Sequence, residues 1–291
     1  SVLADRGIRV ALFCAPQAAA WTARLATNIE VLEFDTCTSA YSLRRGDSSA
    51  LDWVNRLPDL SDYGIVVSDN LPEILSIRPD AVLVGHFLWH EAVDGVHPRC
   101  TDIATELLTA IRPPMIAPDL FAAPYLEARV QLHRVGLMSP RPPLLRSAAN
   151  KVLIACGTSR VARDIAARLI ENVAREEAPP YADVLVEPDL LPAHAPAWMV
   201  PADFRADMFA ELGAIICRPG LGTVTEGLGG GARIFAFYES GNGEMAFNAA
   251  QIASHGLGFD GEDDYLAAWR AAVDFAEDSA AQSRHRHALE S

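Results

Sequence analysis

Residues 215–252 read IICRPGLGTVTEGLGGGARIFAFYESGNGEMAFNAAQI, and the order of residue types in this stretch decides the fold. An apolar, β-branched run ends at Cys217. Gly220 and Gly222 then remove side chains where the backbone turns from strand into helix, which lets a ligand approach closely. A helix beginning near Thr223 follows, then the strand RIFAF at 233–237. A loop holding Glu239, Asn242 and Glu244 leads into a last helix that contains Asn248. Strand, glycine loop, helix and strand in this order make a βαβ unit.

Working outward, the same grammar fills the chain. KVLIACGTS at 151–159 is a strand and turn, 161–176 a helix, 182–186 a strand, and 204–212 a further helix. In the first half, 10–13, 65–68 and 81–85 read as strands, and 51–57 and 71–77 carry helical spacing. The apolar runs are continuous rather than alternating, so the strands are expected to be parallel and covered on both faces. SPRPP at 139–143 forbids helix continuation and marks a connector. The expectation is α/β, with two Rossmann-like βαβ domains facing across a cleft: 1–140, 145–275, and a tail at 276–291. The opening SVLADRGIRVALF reads as the end of a helix running into a strand, so the first domain is expected to lack its first strand and loop.

Composition narrows the function. The net charge is −14 and the pI is near 4.9, so neither nucleic acid nor an anionic membrane is an expected partner. The apolar stretches 81–89 and 214–217 fall far short of the roughly 20 residues that cross a bilayer. Five cysteines without CxxC spacing suggest neither a disulfide framework nor a zinc knuckle, and a cytoplasmic location is expected.

The mouth of the helix near Thr223 offers free N–H groups and a positive dipole end, a cradle for a pyrophosphate. Glu226, one turn in, can accept both hydroxyls of a ribose. Thr223 and Glu226 are also spaced as a capping box, which would merely finish the helix. Glu244 and Asn248 lie four apart on one helix face and can point together at a diphosphate sugar, or simply be solvated. In the first half Asp69 and His86 each follow an apolar strand and suit an acceptor-site or general-base role, with His90 and Glu91 on the same loop. A structural histidine fits the His86 position as well.

Taken together, these motifs resemble the carboxyl-terminal domain of the lipid II-forming UDP-N-acetylglucosaminyltransferase family. There a C-R-S-G-like tetrapeptide runs into a T-x-x-E helix, then a strand, then a Q-x-x-x-N-A helix. The counterparts are Cys217 to Gly220, Thr223 to Glu226, and Glu244, Asn248 and Ala249. The resemblance implies a GT-B glycosyltransferase whose Glu226 holds the ribose and whose 222–225 turn faces phosphate. It places Arg218 and Gly220 beside the donor, and residues 244–248 at its sugar. It also implies that Gly157, Thr158 and Ser159 are diphosphate ligands, although a strand-to-helix turn with a serine cap reads the same way. The family's glutamine is Glu244 here, an acceptor without a donor, which changes the sugar groups it can contact.

The expected partners are a nucleotide-diphosphate sugar, expected to be a UDP-sugar, and an acceptor that the sequence does not identify. No cofactor and no metal are expected: no Asp-x-Asp motif is present, and His285 and His287 in SRHRH read as a solvated helix end. Alternative readings are a nucleotide-sugar hydrolase on the same scaffold, a binding protein without catalysis and, ranked lower, a non-hydrolysing epimerase.

Overall fold

The computed structural model describes residues 6–16, 18–19, 22, 29–34, 52–92, 98–138, 149–157 and 160–290. The chain divides into two units, Ser1–Ile116 with Pro124–His133, and Ala117–Ala123 with Arg134–Ser291. Residues 117–123 thus fall in the second unit, although they lie within the span read as the first domain. Their Phe121 is fully buried in the second unit's core. The connector at 139–143 lies outside the described residues.

In the first unit β1 (Ala11–Cys14) pairs in parallel with β2 (Glu30–Glu33). A separate sheet has the order β3 (Val67–Asp69), β4 (Val82–Val84), β5 (Pro114–Pro118), β6 (Gln131–Val135). The expected helix at 51–57 appears as the short α1 (Asp52–Asn55). That at 71–77 is instead a 3-10 helix, Pro72–Ser76. Its bonds close at i to i+3, as from Ile77 N–H to the Ile74 carbonyl, the tighter winding favoured in short pieces. After α2 (Trp89–Ala92) comes α3 (Pro98–Ile111), which the sequence reading missed; it buries Cys100, Ala104 and Leu108 at four-residue intervals. The short α4 (Leu126–Arg129) precedes β6.

The second unit is a six-stranded, all-parallel sheet. Its strands are β7 (Lys151–Ala155), β8 (Asp183–Val186), β9 (Met199–Pro201), β10 (Leu212–Cys217), β11 (Arg233–Ala236) and β12 (Gly258–Asp260). They are ordered β12-β11-β10-β7-β8-β9. Successive residues of β7 alternate between faces. Val152 and Ile154 meet α5 (Arg160–Val173) and α9 (Tyr265–Glu277); Leu153 and Ala155 meet Val224 and Leu228 of α7 (Leu221–Gly230) and Ile252 of α8 (Gly243–Ser254). Both faces are covered, which is why KVLIAC carries no polar alternation. Each large side chain so buried stabilises the sheet by about 1.5–3 kcal/mol.

Only α6 (Ala206–Phe209) stands where a helix at 204–212 was expected, because Leu212 already opens β10. β9 carries Pro201 at the sheet's edge, where a missing N–H costs no ladder bond. Residues 279–290 form α10 (Ser279–Glu290), a helix as expected, but one that is not solvated at His285. His285 is buried edge-on to Phe275, with Nε2 3.2 Å from the Gly231 carbonyl oxygen. Burial lowers its pKa.

Candidate functional site

From β7 the chain steps outward to β8 and β9, then returns to the other side of β7 with β10, β11 and β12. The direction of winding therefore reverses between β7 and β10. In open α/β sheets ligands bind outside the carboxyl ends of the strands at such a reversal. The two turns that flank it follow Ala155 and Cys217.

After Cys217 the backbone bends through Arg218, Pro219 and Gly220 into α7. Gly220 is the N-cap and no side chain caps the helix, so Thr223 lies inside the first turn and the capping-box reading of Thr223 with Glu226 does not apply. Among the described residues, no protein acceptor takes the N–H groups of Leu221, Gly222 and Thr223. A Cβ placed on Gly220 or Gly222 would meet nothing within 4 Å. Among the described residues the mouth of α7 thus keeps its N–H groups without acceptors, and the helix dipole makes it electropositive. Glu226, exposed one turn further along, has no hydrogen-bond or ion-pair partner among the described residues, and desolvation by the surrounding protein raises its pKa.

Two side chains hold this turn. Arg218 donates from Nε to Glu239 Oε2 at 3.1 Å and from Nη2 to Oε1 at 2.9 Å. Such a fork ties the loop after β10 to the loop after β11. Burial pushes the Glu239 carboxyl up, but Arg218, its own backbone N–H and Asn242 outweigh that and hold it below its usual pKa. Asn242 donates to Glu239 Oε1 at 2.9 Å and its Oδ1 caps α8 by accepting from Met245 N–H. Arg218, expected beside the donor, is thus committed to Glu239.

Asn248, expected at the sugar, is fully buried and donates from Nδ2 to the Pro219 carbonyl at 2.9 Å, leaving Oδ1 without a partner. It positions the turn from beneath. Asn248→Leu strands the buried Pro219 carbonyl, a cost of about 1–3 kcal/mol, but also deletes an unsatisfied acceptor. The net loss of stability is expected to be about 1 kcal/mol in urea titrations. A loss well above 3 kcal/mol would show that pinning Pro219 is not its main role. Glu244 is half-buried at the start of α8.

The turn after β7 is different. Gly157 sits at φ 65°, and its N–H, expected to face a diphosphate, donates to Glu187 Oε1 at 3.1 Å. Cys156 N–H donates to the same oxygen at 2.8 Å. Burial, then Glu187, push the Cys156 thiol up to about 12. Thr158 and Ser159 lie outside the described residues. Glu187 escaped the sequence reading, although it directly follows the strand VLV, at the strand end where ligands of such sheets gather.

In the first unit Asp69 ends β3, exposed, with its pKa raised by desolvation. His86 follows β4, is 5% exposed, and stacks edge-on to Phe87. His90 is as deeply buried, and burial, with Arg129 adding to it, lowers its pKa to about 4. A pKa that low leaves it unprotonated near neutrality and only a weak proton acceptor. Glu91 pairs with Arg129 at 3.0 Å. Among the described residues no group of three or more His, Cys, Asp or Glu is placed to hold a metal, and no helix is long and apolar enough to cross a membrane.

No protein-family model and no curated protein matches the chain. Solved structures do. The calicheamicin glycosyltransferase CalG4 matches with a TM-score of 0.61 at 19% identity, covering 99% of this chain and 87% of that one. The fold is GT-B. The spinosyn rhamnosyltransferase SpnG gives 0.59 at 15% identity, over 99% and 90% of the two chains. UGT89C1 of Arabidopsis thaliana, complexed with UDP-L-rhamnose, gives 0.57 at 14% identity, over 99% and 87%. Identities this low carry the GT-B architecture of two Rossmann-like units, and no more.

Proposed function

We propose that the chain is a glycosyltransferase that moves a sugar from a UDP-sugar to an acceptor hydroxyl in the cytoplasm, without a metal or other cofactor. The observation that carries this reading is the mouth of α7. It lies at the winding reversal with no side-chain cap and with glycines at 220 and 222, and the Glu226 carboxylate, one turn beyond, has no partner among the described residues.

The N–H groups of Leu221, Gly222 and Thr223 and the helix dipole meet the charge that grows on the departing diphosphate. Glu226 accepts from the ribose hydroxyls. Asp69 is the better base of the two named in the first unit, because it is exposed and its raised pKa strengthens it as a proton acceptor. His86, being buried, suits a positioning role. UDP and UDP-L-rhamnose in the UGT89C1 structures support a uridine donor. The order of the C-R-x-G, T-x-x-E and N-A motifs supports kinship with the lipid II-forming transferases. Glu244, in place of their glutamine, favours a donor sugar other than theirs.

A thermal-shift screen against UDP-, GDP-, dTDP- and CMP-sugars tests the donor, since a ligand at 100 times its Kd stabilises by about 2.7 kcal/mol. Only the UDP-sugars are expected to shift the melt. Glu226→Ala is expected to weaken the best donor at least tenfold, about 1.4 kcal/mol, with the unliganded melt unchanged because the side chain is exposed. Undiminished donor binding by that variant would end the reading.

A further inference from the structure

The winding reversal is flanked by two turns, and among the described residues the one leading into α7 leaves its N–H groups without a protein acceptor. The other, after β7, already holds an anion that the chain supplies itself. Glu187 Oε1 accepts from the N–H groups of Cys156 and Gly157 at 2.8 and 3.1 Å and lies 3.3 Å from Cys156 Sγ. Its Oε2 accepts from Arg163 Nη1 at 3.0 Å. The other arm of Arg163 donates to Asp189 Oδ2. Glu187 is 9% exposed, so the carboxylate is part of the fold and not a passing surface contact. Two converging backbone N–H groups beside a guanidinium are what an oxyanion of a phosphate needs. Here all three are spent on a side chain at the end of β8.

We propose that Glu187 is a specificity-determining residue of the donor site: its carboxylate fills the anion position at the turn after β7 and confines the diphosphate to the mouth of α7. The inference rests on the donor reading given above. Any second anion brought to Cys156 and Gly157 would find both of those N–H groups taken and would face a like charge in a half-dry setting, where charges act more strongly than in water. With the carboxylate gone, both N–H groups are released, and Arg163 keeps only Asp189.

The test is an amide-resolved NMR titration with inorganic pyrophosphate, which carries no base or sugar. In the wild-type chain the amides of Leu221, Gly222 and Thr223 are expected to respond, while those of Cys156 and Gly157 stay still. In Glu187→Ala the second pair is expected to respond as well, with pyrophosphate bound about tenfold more tightly. Glu187→Gln removes the charge at nearly constant shape and is expected to give the same change in smaller measure. If Cys156 and Gly157 respond in the wild type as they do in the variants, or stay still in all three proteins, the proposal is overturned. If they respond in the variants alone while 221–223 never do, the donor reading falls and the confinement to α7 with it, and only the occupation of the 156–157 anion position by Glu187 stands. Should neither variant fold, the wild-type titration decides: movement of the 156–157 pair overturns the proposal, and movement of 221–223 alone supports it.

Discussion

Glu73→Gln is expected to raise the melting temperature at pH 8 and to leave it unchanged near pH 4. Glu73 lies in the 3-10 helix 72–76, 2% exposed, with Oε2 lacking any hydrogen-bond partner. Burial raises its pKa from 4.5 to about 7, against a smaller opposing pull from its own backbone N–H. The folded state therefore holds this proton more tightly than the unfolded chain does. Below about pH 4.5 both states are protonated and the residue is neutral to stability. As the pH climbs from 4.5 towards 7 the unfolded chain ionises first, and folding loses about 1.4 kcal/mol for each unit, levelling off above 7 at roughly 3 kcal/mol. Glutamine cannot ionise, so the variant escapes the loss. For a chain of this size roughly 3 kcal/mol is worth about 6–12 °C. Parallel melts of the two proteins across pH 4–9 check it. Curves that stay a constant distance apart would mean that Glu73 does not titrate in this range.

How far the sequence could be read follows from what the residues were answering to. The run KVLIAC and the run AIIC were legible as buried parallel strands because apolarity on both faces is itself the signal. The mouth of α7 was legible for a related reason: Gly220 and Gly222 stand at a strand-to-helix turn, and the open space above them gives no packing reason for their size. The 3-10 helix at 72–76 was not legible, since its apolar spacing matches an α-helix over so few residues. Nor was the pairing of Arg218 with Glu239, which joins residues 21 apart through the register of β10 with β11.

Glu187 shows the same limit more sharply. Its bond to Gly157 spans 30 residues, and nothing local distinguishes a carboxylate that folds back onto a turn from one that stays in solvent. The sequence pattern G-T-S at 157–159 suggests phosphate binding, and the geometry at Gly157 gives its N–H to a carboxylate.

Gly230→Ala is expected to destabilise the second unit strongly, although helix propensity alone argues the reverse. Gly230 is the last residue of α7, and alanine in a helix is favoured over glycine by about 1 kcal/mol. Yet a Cβ there would lie 2.3 Å from the Phe209 carbonyl oxygen and 2.8 Å from its carbon. Both are backbone atoms, fixed between α6 and the start of β10, so no side chain can rotate away. Relief requires the helix or the Phe209 peptide to move by most of an ångström, in a core where overpacking costs about 1–3 kcal/mol or more. Sterics therefore outweigh propensity, and a net loss of about 2–4 kcal/mol should lower the melt by roughly 4–16 °C.

The displacement should also reach the other end of the helix, which is rigid over its length of about 15 Å, so donor affinity should fall together with stability. The same chemical change at Gly222 provides the contrast. A methyl there meets only open space, so Gly222→Ala should keep or slightly raise the melting temperature while weakening donor binding, because the methyl would fill the space the proposed diphosphate site offers. A Gly230→Ala protein more stable than the parent would mean that α7 does not pack as described. A Gly222→Ala protein that binds a UDP-sugar as well as the parent would mean that the mouth of α7 holds no diphosphate. Measured side by side, the two alanines separate what glycine does for the fold from what it does for the ligand.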